Sequence, residues 1–192
     1  MKIILASASP RRRELLSSVC KDFEIRVAPT DETLDGSIHP RDGVEILAKR
    51  KGEAVVRKMS AEEASDSAVI SSDTLVELDG IPLGKPVSED DAHRMLRSLS
   101  GKRHNVHTGI AVHAGGKVYS GVATTAVFFR ELTDAEIDAY IASGEPMDKA
   151  GAYGIQGLGG AFVEKTEGDF DTVVGFSMML LGQLLTSAGV EL

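Results

Sequence analysis

Several kinds of residue are scarce in this chain of 192 residues, and each shortage excludes a class of protein. Cys20 is the only cysteine, so neither an intrachain disulfide nor a cysteine-based metal site is expected. No apolar run approaches the ~20 residues of a membrane span, and the first residues lack the apolar core of a signal peptide. We therefore expect a protein of the reducing cytoplasm with no membrane partner.

Positive charge is scarce as well, because 21 Lys and Arg residues stand against 29 Asp and Glu residues and give a net charge of −8. A surface that coats nucleic acid needs a basic excess, so no nucleic-acid partner is expected. The residues that are present, 42% hydrophobic and 26% charged, are typical of an ordinary globular protein. Since there are no repeats or linkers, we expect a single domain over residues 1–192.

The first unusual stretch is a helix start crowded with arginines. Ile3–Leu5 form the apolar run of a buried strand, Ser9 suits an N-cap, and Pro10 suits the first helical position. Arg11–Arg13 then crowd the positive end of the helix dipole, where each cation costs roughly 0.3–1 kcal/mol. A bound anion would reverse that sign, so Ser7–Arg12 predicts a phosphate site, with a solvated basic turn as the alternative.

Hydrophobic patterning predicts the other elements. The first half of the chain is predicted to form a half-exposed strand over Phe23–Ala28, a helix over Pro40 to about Met59, a polar connection over Ala61–Ser67, a short buried strand over Ala68–Ile70 and a hairpin over Leu75–Leu83. The second half is predicted to form a helix over Ser88–Leu99, long strands over Val106–Val112 and Val118–Arg130, a helix begun by the capping box of Thr133 and Glu136, a strand over Ala161–Glu164 and a helix over Ser177–Leu185. Gly121 predicts a β-bulge, and the long strand pair is expected to build a second lobe. The three histidines of this region have no metal-ligand spacing and are interpreted as ordinary polar positions: His104, His107 and His113.

Two acidic candidates follow predicted strand ends, which is where open α/β sheets bind ligands. Glu32 follows the strand predicted over Phe23–Ala28, and Asp73 follows the strand predicted over Ala68–Ile70. A solvated loop is the simpler interpretation of Glu32. For Asp73, the simpler interpretation is a turn residue that bonds its own backbone.

Two lysines are candidate phosphate ligands. Lys51 lies on the apolar face of the helix predicted over Pro40–Met59, where a lysine either extends to the surface or enters a cleft. Lys85 lies in a loop stiffened by its neighbours and near Asp73, and a solvated lysine is the alternative.

The second unusual stretch is Asp148–Gly160, which carries five glycines between positions 151 and 160. So many glycines imply close approach of the backbone to another group, or several turns with positive φ. The stretch is not a dinucleotide-binding fingerprint, because a strand rather than a helix is predicted after it. No P-loop motif occurs anywhere in the chain.

Together these stretches resemble the Maf proteins, nucleoside triphosphate pyrophosphatases whose fold is shared with the inosine triphosphate pyrophosphatases. The resemblance covers nearly the whole chain, and its blocks come in the family's order: Ser7–Leu16, Glu32, Lys51, Asp73–Thr74, Gly84–Pro86, Leu99–Gly101 with Thr108–Gly109, and Asp148–Gly157. The chain departs from the family pattern at Gly52, where alanine is usual, and over Thr172–Ser177, where the family has Asn-Val-Val-Gly-Leu-Pro. The resemblance implies an α/β fold with a mixed twisted sheet flanked by helices and two lobes around a central cleft.

The resemblance also implies an activity, the hydrolysis of nucleoside triphosphates to the monophosphate and pyrophosphate as a house-cleaning reaction. Arg11, Thr74 and Gln156 correspond to the positions that separate the family's substrate branches, and their combination resembles the branch acting on dTTP and UTP. A non-catalytic nucleotide-binding regulator linked to septum formation is the alternative. A homodimer is the expected assembly.

Each candidate residue receives a role from the resemblance. Asp73 would be the general base that activates the attacking water, and Glu32 and Asp73 would hold Mg²⁺ or Mn²⁺, hard ions that prefer carboxylate oxygen. Gln156 would read the pyrimidine edge with a paired donor and acceptor. The groups that would hold the triphosphate are Ser7, Arg11, Arg12, Lys51 and Lys85.

Overall fold

One mixed sheet of seven strands organises the chain in the computed structural model, which describes residues 1–192. The strands are β1 (Lys2–Leu5), β2 (Glu24–Ile25), β3 (Ser67–Leu78), β4 (Ile81–Leu83), β5 (Arg103–Ala114), β6 (Lys117–Phe129) and β7 (Val163–Glu167). The helices are α1 (Pro10–Val19), α2 (Pro40–Val56), α3 (Ala61–Ser65), α4 (Glu89–Leu99), α5 (Asp134–Ala142), α6 (Phe170–Val174) and α7 (Met178–Ala188). Three short 3-10 turns over Glu145–Asp148, Ala150–Ala152 and Leu158–Phe162 connect α5 to β7.

The strand order is β2-β1-β3-β5-β6-β7, with β4 paired to β3 outside this path. Strand β1 runs parallel to β2 and β3, and every other pair is antiparallel. Leu5, the last residue of β1, lies opposite Ile70, while β3 continues to Leu78. Asp73 therefore lies just beyond the carboxyl end of β1, opposite Gly109 of β5.

Side chains alternate between two covered faces where β1 pairs with β3. Leu5 and Ile70 belong to a hydrophobic cluster that includes residues of α1 and α7, whereas Ile4 and Val69 pack with Val55 of α2. Covered faces on both sides explain why β1 is a continuous apolar run, and the predicted buried strand is confirmed.

Two large hydrophobic clusters occupy opposite ends of the long central strands. One includes Val76 of β3 with residues of α4 and α5, and the other includes Ile70 of β3 with residues of α1 and α7. Asp73 lies between Ile70 and Val76 along β3, so the region between the two clusters is where the cleft opens. The two lobes share one sheet, and the pair β5–β6 is part of that sheet rather than a separate lobe.

The prediction that Asp73 follows a strand end is wrong, because β3 is one continuous strand. The polar run that suggested a turn keeps strand geometry because its buried hydroxyls find partners on other elements. The Ser71 hydroxyl donates to the Ala48 carbonyl at 2.7 Å, and the Ser72 hydroxyl donates to the Gly175 carbonyl at 3.0 Å. Strand geometry points alternate side chains to opposite faces, which brings Asp73 to the cleft.

Three smaller predictions are also wrong. The half-exposed strand after α1 contains only Glu24–Ile25, and the polar connection contains the short helix α3. Gly121 pairs in register with Ile110, and the irregularity of β6 lies between Phe128 and Phe129 instead. A Cβ atom on Gly121 would lie 3.1 Å from the Leu180 side chain, so this glycine makes room for α7.

The predicted helix starts are confirmed. The Ser9 and Ser88 hydroxyls accept hydrogen bonds from the N–H groups of Arg12 and Asp91, and Thr133 and Glu136 form the capping box. These caps are local in sequence, which is why the sequence predicts them. No helix combines the length and the apolar character that a membrane crossing requires.

Candidate functional site

A cleft of about 770 Å³ opens beyond the carboxyl end of β1, between the two hydrophobic clusters. It brings together all but one of the candidate residues, namely Arg11, Arg12, Glu32, Lys51, Asp73, Thr74, Lys85 and Gln156. The exception is Ser7, which lies beneath the cleft; Ser9 lines it instead.

Lys51 joins the two acidic candidates. Its Nζ atom lies 2.6 Å from Asp73 Oδ1 and 3.1 Å from Glu32 Oε1. Asp73 is 8% exposed, whereas the Glu32 carboxylate is on the open side of the cleft. Lys51 therefore enters the cleft rather than extending to the bulk surface, and one of the two alternatives left open by the sequence is confirmed.

The position of Lys51 depends on how closely α2 packs against the sheet. A Cβ atom on Gly109 of β5 would lie 2.3 Å from the Val44 carbonyl oxygen of α2. A Cβ atom on Gly52 of α2 would lie 2.4 Å from the His113 ring of β5. Because neither glycine has a Cβ atom, α2 packs closer to β5 than any larger residue at these positions would allow. Helix α2 therefore contacts β5 at Gly109, the residue opposite Asp73.

Arg12 is held by the protein itself. Its guanidinium donates from Nε to the Gly175 carbonyl at 2.9 Å, from Nη1 to the Ser72 carbonyl at 2.8 Å, and from Nη2 to the Thr74 hydroxyl at 3.2 Å. Nη1 also lies 3.4 Å from the Ser7 hydroxyl. Burial lowers the pKa of Arg12, and the nearby Asp73 charge opposes that shift. Four of the five N–H donors of Arg12 thus have partners within the protein.

Thr74 and Ser7 are likewise engaged inward. The Thr74 hydroxyl lies 2.9 Å from the Thr108 hydroxyl, which itself donates to the Thr172 carbonyl at 2.7 Å. The Ser7 hydroxyl accepts a hydrogen bond from the Ser9 N–H at 3.2 Å. Thr74 of β3 thus joins Arg12 of α1 to the Gly175 carbonyl next to α6, whereas the Ser7 hydroxyl contacts only the start of α1.

Arg11 and Lys85 are the cations of the cleft without a hydrogen-bond or salt-bridge partner in the protein, because Lys51 and Lys149 pair with carboxylates and Arg12 donates to carbonyl and hydroxyl oxygens. The charged residues that line the cleft are the cations Arg11, Arg12, Lys51, Lys85 and Lys149 and the carboxylates Glu32, Asp73, Glu145 and Asp148. The cleft is therefore slightly cationic in a chain whose net charge is −8, and its two unpaired cations favour an anionic ligand.

The glycine-rich stretch forms the opposite wall of the cleft and contains residues that sequence reasoning missed. Glu145 accepts hydrogen bonds from two backbone N–H groups of this wall, and Lys149 pairs with Asp148 at 2.7 Å. The predicted close approach is confirmed for Gly157, whose Cβ would lie 2.4 Å from the Glu145 carboxylate. The glycine run is a sequence signal of close approach to the backbone, but it does not identify Glu145 as the approaching group.

The two candidate metal ligands fit a hard divalent cation. Glu32 and Asp73 both lie within hydrogen-bonding distance of one ammonium group, so their oxygens converge on one cation-sized position. No group of three or more His, Cys, Asp or Glu side chains is placed to hold a metal. Mg²⁺ is commonly bound by one or two carboxylates and completed by water and substrate phosphate oxygens, which matches this donor set.

A mixed α/β sheet with a slightly cationic cleft beyond a parallel strand end, where two carboxylates share one lysine opposite a glycine-rich wall, is suited to a phosphorylated ligand. The chain belongs to the Maf family: the family model described as "Maf-like protein" matches residues 2–188. The resemblance inferred from the sequence is confirmed.

Relatives of known name align over almost the entire chain. The dTTP/UTP pyrophosphatase of Bacillus cereus (strain B4264) is 46% identical over 190 residues, which cover 99% of this chain and 97% of that protein. The dTTP/UTP pyrophosphatase of Shewanella oneidensis is 47% identical over 195 residues, covering 99% of this chain and 100% of that protein. Among solved structures, the Ham1 protein of Staphylococcus aureus is similar with a TM-score of 0.48 and 17% identity, covering 96% of this chain and 91% of that chain.

Proposed function

We propose that the cleft hydrolyses nucleoside triphosphates, with dTTP and UTP favoured, to the monophosphate and pyrophosphate. The observation that carries the proposal is the contact of Lys51 with both Asp73 and Glu32 in a cleft that also holds two unpaired cations. The relatives that are 46% and 47% identical over 99% of this chain bear the name dTTP/UTP pyrophosphatase, and this supports the substrate.

The acid–base role falls to Asp73. Lys51 engages Oδ1 of its carboxylate, and Oδ2 has no partner in the protein. Oδ2 can therefore accept a proton from a water that attacks the α-phosphorus, as the bond from that phosphorus to the bridging oxygen breaks. The leaving pyrophosphate gains negative charge, which Arg11 and Lys85 are free to stabilise.

Glu32 and Asp73 would hold Mg²⁺ or Mn²⁺, and such an ion would neutralise phosphate charge during the reaction. Lys51 lies between the same two carboxylates, so it limits their mutual repulsion in the free protein. A homodimer, the cytoplasmic location and the lack of a nucleic-acid partner stay predictions. Sedimentation of the purified chain and its retention on RNA at low salt test the first and the last.

The proposal is tested with Asp73→Asn, which keeps the side-chain volume and removes the negative charge. We expect pyrophosphate release from UTP and dTTP with Mg²⁺ to fall by roughly 10²–10⁴-fold, the usual range for losing a general base. Asp79→Asn is the matched control, because Asp79 is exposed in the turn after β3 and outside the cleft. We expect that control to keep wild-type turnover.

Two outcomes contradict the proposal. Wild-type turnover by a folded Asp73→Asn variant, checked by its thermal melting, would remove Asp73 from the chemistry. Binding of UTP by the wild-type chain without any pyrophosphate release would favour the non-catalytic regulator instead.

A further inference from the structure

The part of the glycine-rich wall that contains Gln156 is hydrogen-bonded to a single carboxylate through its backbone. We call residues 154–160 the Gln156 loop. Glu145 lies outside this loop, in the preceding 3-10 turn, and its Oε2 accepts a hydrogen bond from the Leu158 N–H at 3.0 Å. Its Oε1 accepts a hydrogen bond from the Gly159 N–H at 3.2 Å. One side chain therefore holds two successive amides of the loop.

Tyr140 of α5 extends the same hold to the start of the loop. Its hydroxyl donates to Glu145 Oε1 at 2.8 Å and accepts a hydrogen bond from the Gly154 N–H at 3.1 Å. The loop is thus fastened at residue 154 and again at residues 158 and 159. The segment between these points contains Gln156.

The contacts of the Glu145 carboxylate favour its ionised form. Burial by itself would raise its pKa, but the hydrogen bonds from the two loop amides and Tyr140, with the nearby Lys149 charge, hold the pKa below its usual value. Hydrogen bonds to an ionised acceptor are stronger than those to a neutral one. The hydrogen bonds that the Glu145 carboxylate accepts are therefore stronger than those a neutral acceptor would form.

The glycines of the loop make room for Glu145 and Tyr140. A Cβ atom on Gly157 would lie 2.4 Å from Glu145 Oε1, and a Cβ atom on Gly159 would lie 2.7 Å from the Tyr140 hydroxyl. Gly157 has φ −106°, so the glycine is required here by space and not by a left-handed conformation. The sequence of the loop is thus adapted to Glu145.

Gln156 itself is exposed in the wall of the cleft, and its side chain forms no hydrogen bond within the protein. Its position consequently follows from its backbone. We propose that Glu145 is a positioning residue for base selectivity, because it fixes the loop that holds the Gln156 amide towards the base of a bound pyrimidine nucleotide. This inference deepens the proposed function and rests on it.

The chemistry of the base explains why position matters. A glutamine amide can donate to the 4-oxo oxygen of uracil or thymine while accepting from the N3–H group. Guanine presents the same pair of groups, a 6-oxo oxygen and an N1–H group, but they lie farther from the sugar because the five-membered ring stands between. A fixed loop holds the amide at one distance from the sugar, which cannot suit both base sizes, and a loosened loop allows the amide to follow either base.

The experiment compares kcat/KM for UTP with kcat/KM for GTP in the full chain. We expect Glu145→Ala to reduce the ratio of the two about tenfold, which corresponds to the loss of one neutral hydrogen bond between the Gln156 amide and the uracil. Glu145→Gln retains one acceptor oxygen and is expected to give an intermediate ratio. Glu164→Gln, an exposed glutamate of β7 outside the cleft, is the matched control and is expected to keep the wild-type ratio.

A double variant separates positioning from general stability. In a Gln156→Ala background, the substitution of Glu145 is expected to leave the UTP/GTP ratio unchanged, because the residue it positions is absent. Hydrogen exchange of the Leu158 and Gly159 amides, measured without substrate, is expected to accelerate in Glu145→Ala. If that variant does not fold, Glu145→Gln carries both measurements.

The inference and the proposed function fail in different ways. A wild-type chain that releases no pyrophosphate from UTP contradicts the proposed function. A wild-type chain that prefers UTP, with the same preference after substitution of Glu145, overturns the inference alone. An equal change of the ratio with and without Gln156 also overturns it, because Glu145 would then act through another group.

Discussion

Gly109 is the residue on which the geometry of the cleft depends most directly. Gly109→Ala places a Cβ atom 2.3 Å from the Val44 carbonyl oxygen and 2.8 Å from the Glu45 nitrogen, both of them main-chain atoms of α2. Ordinary contacts of a Cβ atom lie at 3.4–4 Å, so α2 has to move away from the sheet by roughly 1 Å. Overpacking of this kind costs about 1–3 kcal/mol. For a chain of this size, the melting temperature should fall by roughly 2–12 °C.

The activity should fall too, because Lys51 moves with α2. The Lys51 contact with Asp73 is 2.6 Å long, and a displacement of ~1 Å at a reacting centre can cost about 10²-fold. We expect kcat for UTP to fall between roughly 10- and 100-fold. Gly182→Ala in α7 is the control, because its Cβ meets nothing within 4 Å and alanine favours a helix.

Calorimetry and a pyrophosphate-release assay measure the two effects on the same samples. A Gly109→Ala variant that melts and turns over like the wild type would refute the argument from close packing. A variant that melts earlier but keeps its kcat would refute only the link to Lys51, since the flexible lysine stem would then have absorbed the shift.

Two further predictions concern histidines outside the cleft. Gly52→Ala puts a methyl group 2.4 Å from the His113 ring and should destabilise the fold by about 1–3 kcal/mol, and His113→Ala should remove at least ~0.5 kcal/mol of that cost in the double variant. Strictly additive costs in urea denaturation would contradict the contact. Burial lowers the pKa of His104 to about 4, so its contribution is complete above pH 6.5 and is lost as the pH falls towards 4, when only the unfolded state binds the proton. His104→Gln should reduce the loss of unfolding free energy between pH 7.5 and pH 4 by on the order of 3 kcal/mol, and an unchanged loss would contradict the assignment.

The elements that the sequence predicts well are those with local causes. The serine caps of α1 and α4 and the capping box of α5 join atoms three residues apart, and all three occur as predicted. The apolar run of β1 needs only covered faces, which any α/β sheet provides. The family resemblance identifies residues in the cleft for a different reason, since it transfers positions whose spatial meeting is not visible in one sequence.

The elements that the sequence predicts poorly depend on distant partners. Ser71 and Ser72 have the composition of a turn, and they stay in β3 because they bond to Ala48 and Gly175. Glu145 anchors main-chain N–H groups, which every residue carries, so no residue type in the loop indicates the contact. The glycine run indicates that something approaches closely but not which group does so.

The three arginines at the start of α1 show how an electrostatic anomaly is resolved by tertiary structure. The sequence predicts a phosphate site over Ser7–Arg12, with a solvated basic turn as the alternative, and the structure gives the three cations three different environments. Arg13 is exposed, Arg11 faces the cleft without an acidic partner, and Arg12 donates to the carbonyls of Ser72 and Gly175. Carbonyl oxygens are themselves partial negative charges, so the protein supplies Arg12 with part of the stabilisation that the sequence attributes to a phosphate. Arg11 is the cation of this helix start that has no hydrogen-bond partner in the protein, so a bound anion would offset its unfavourable position.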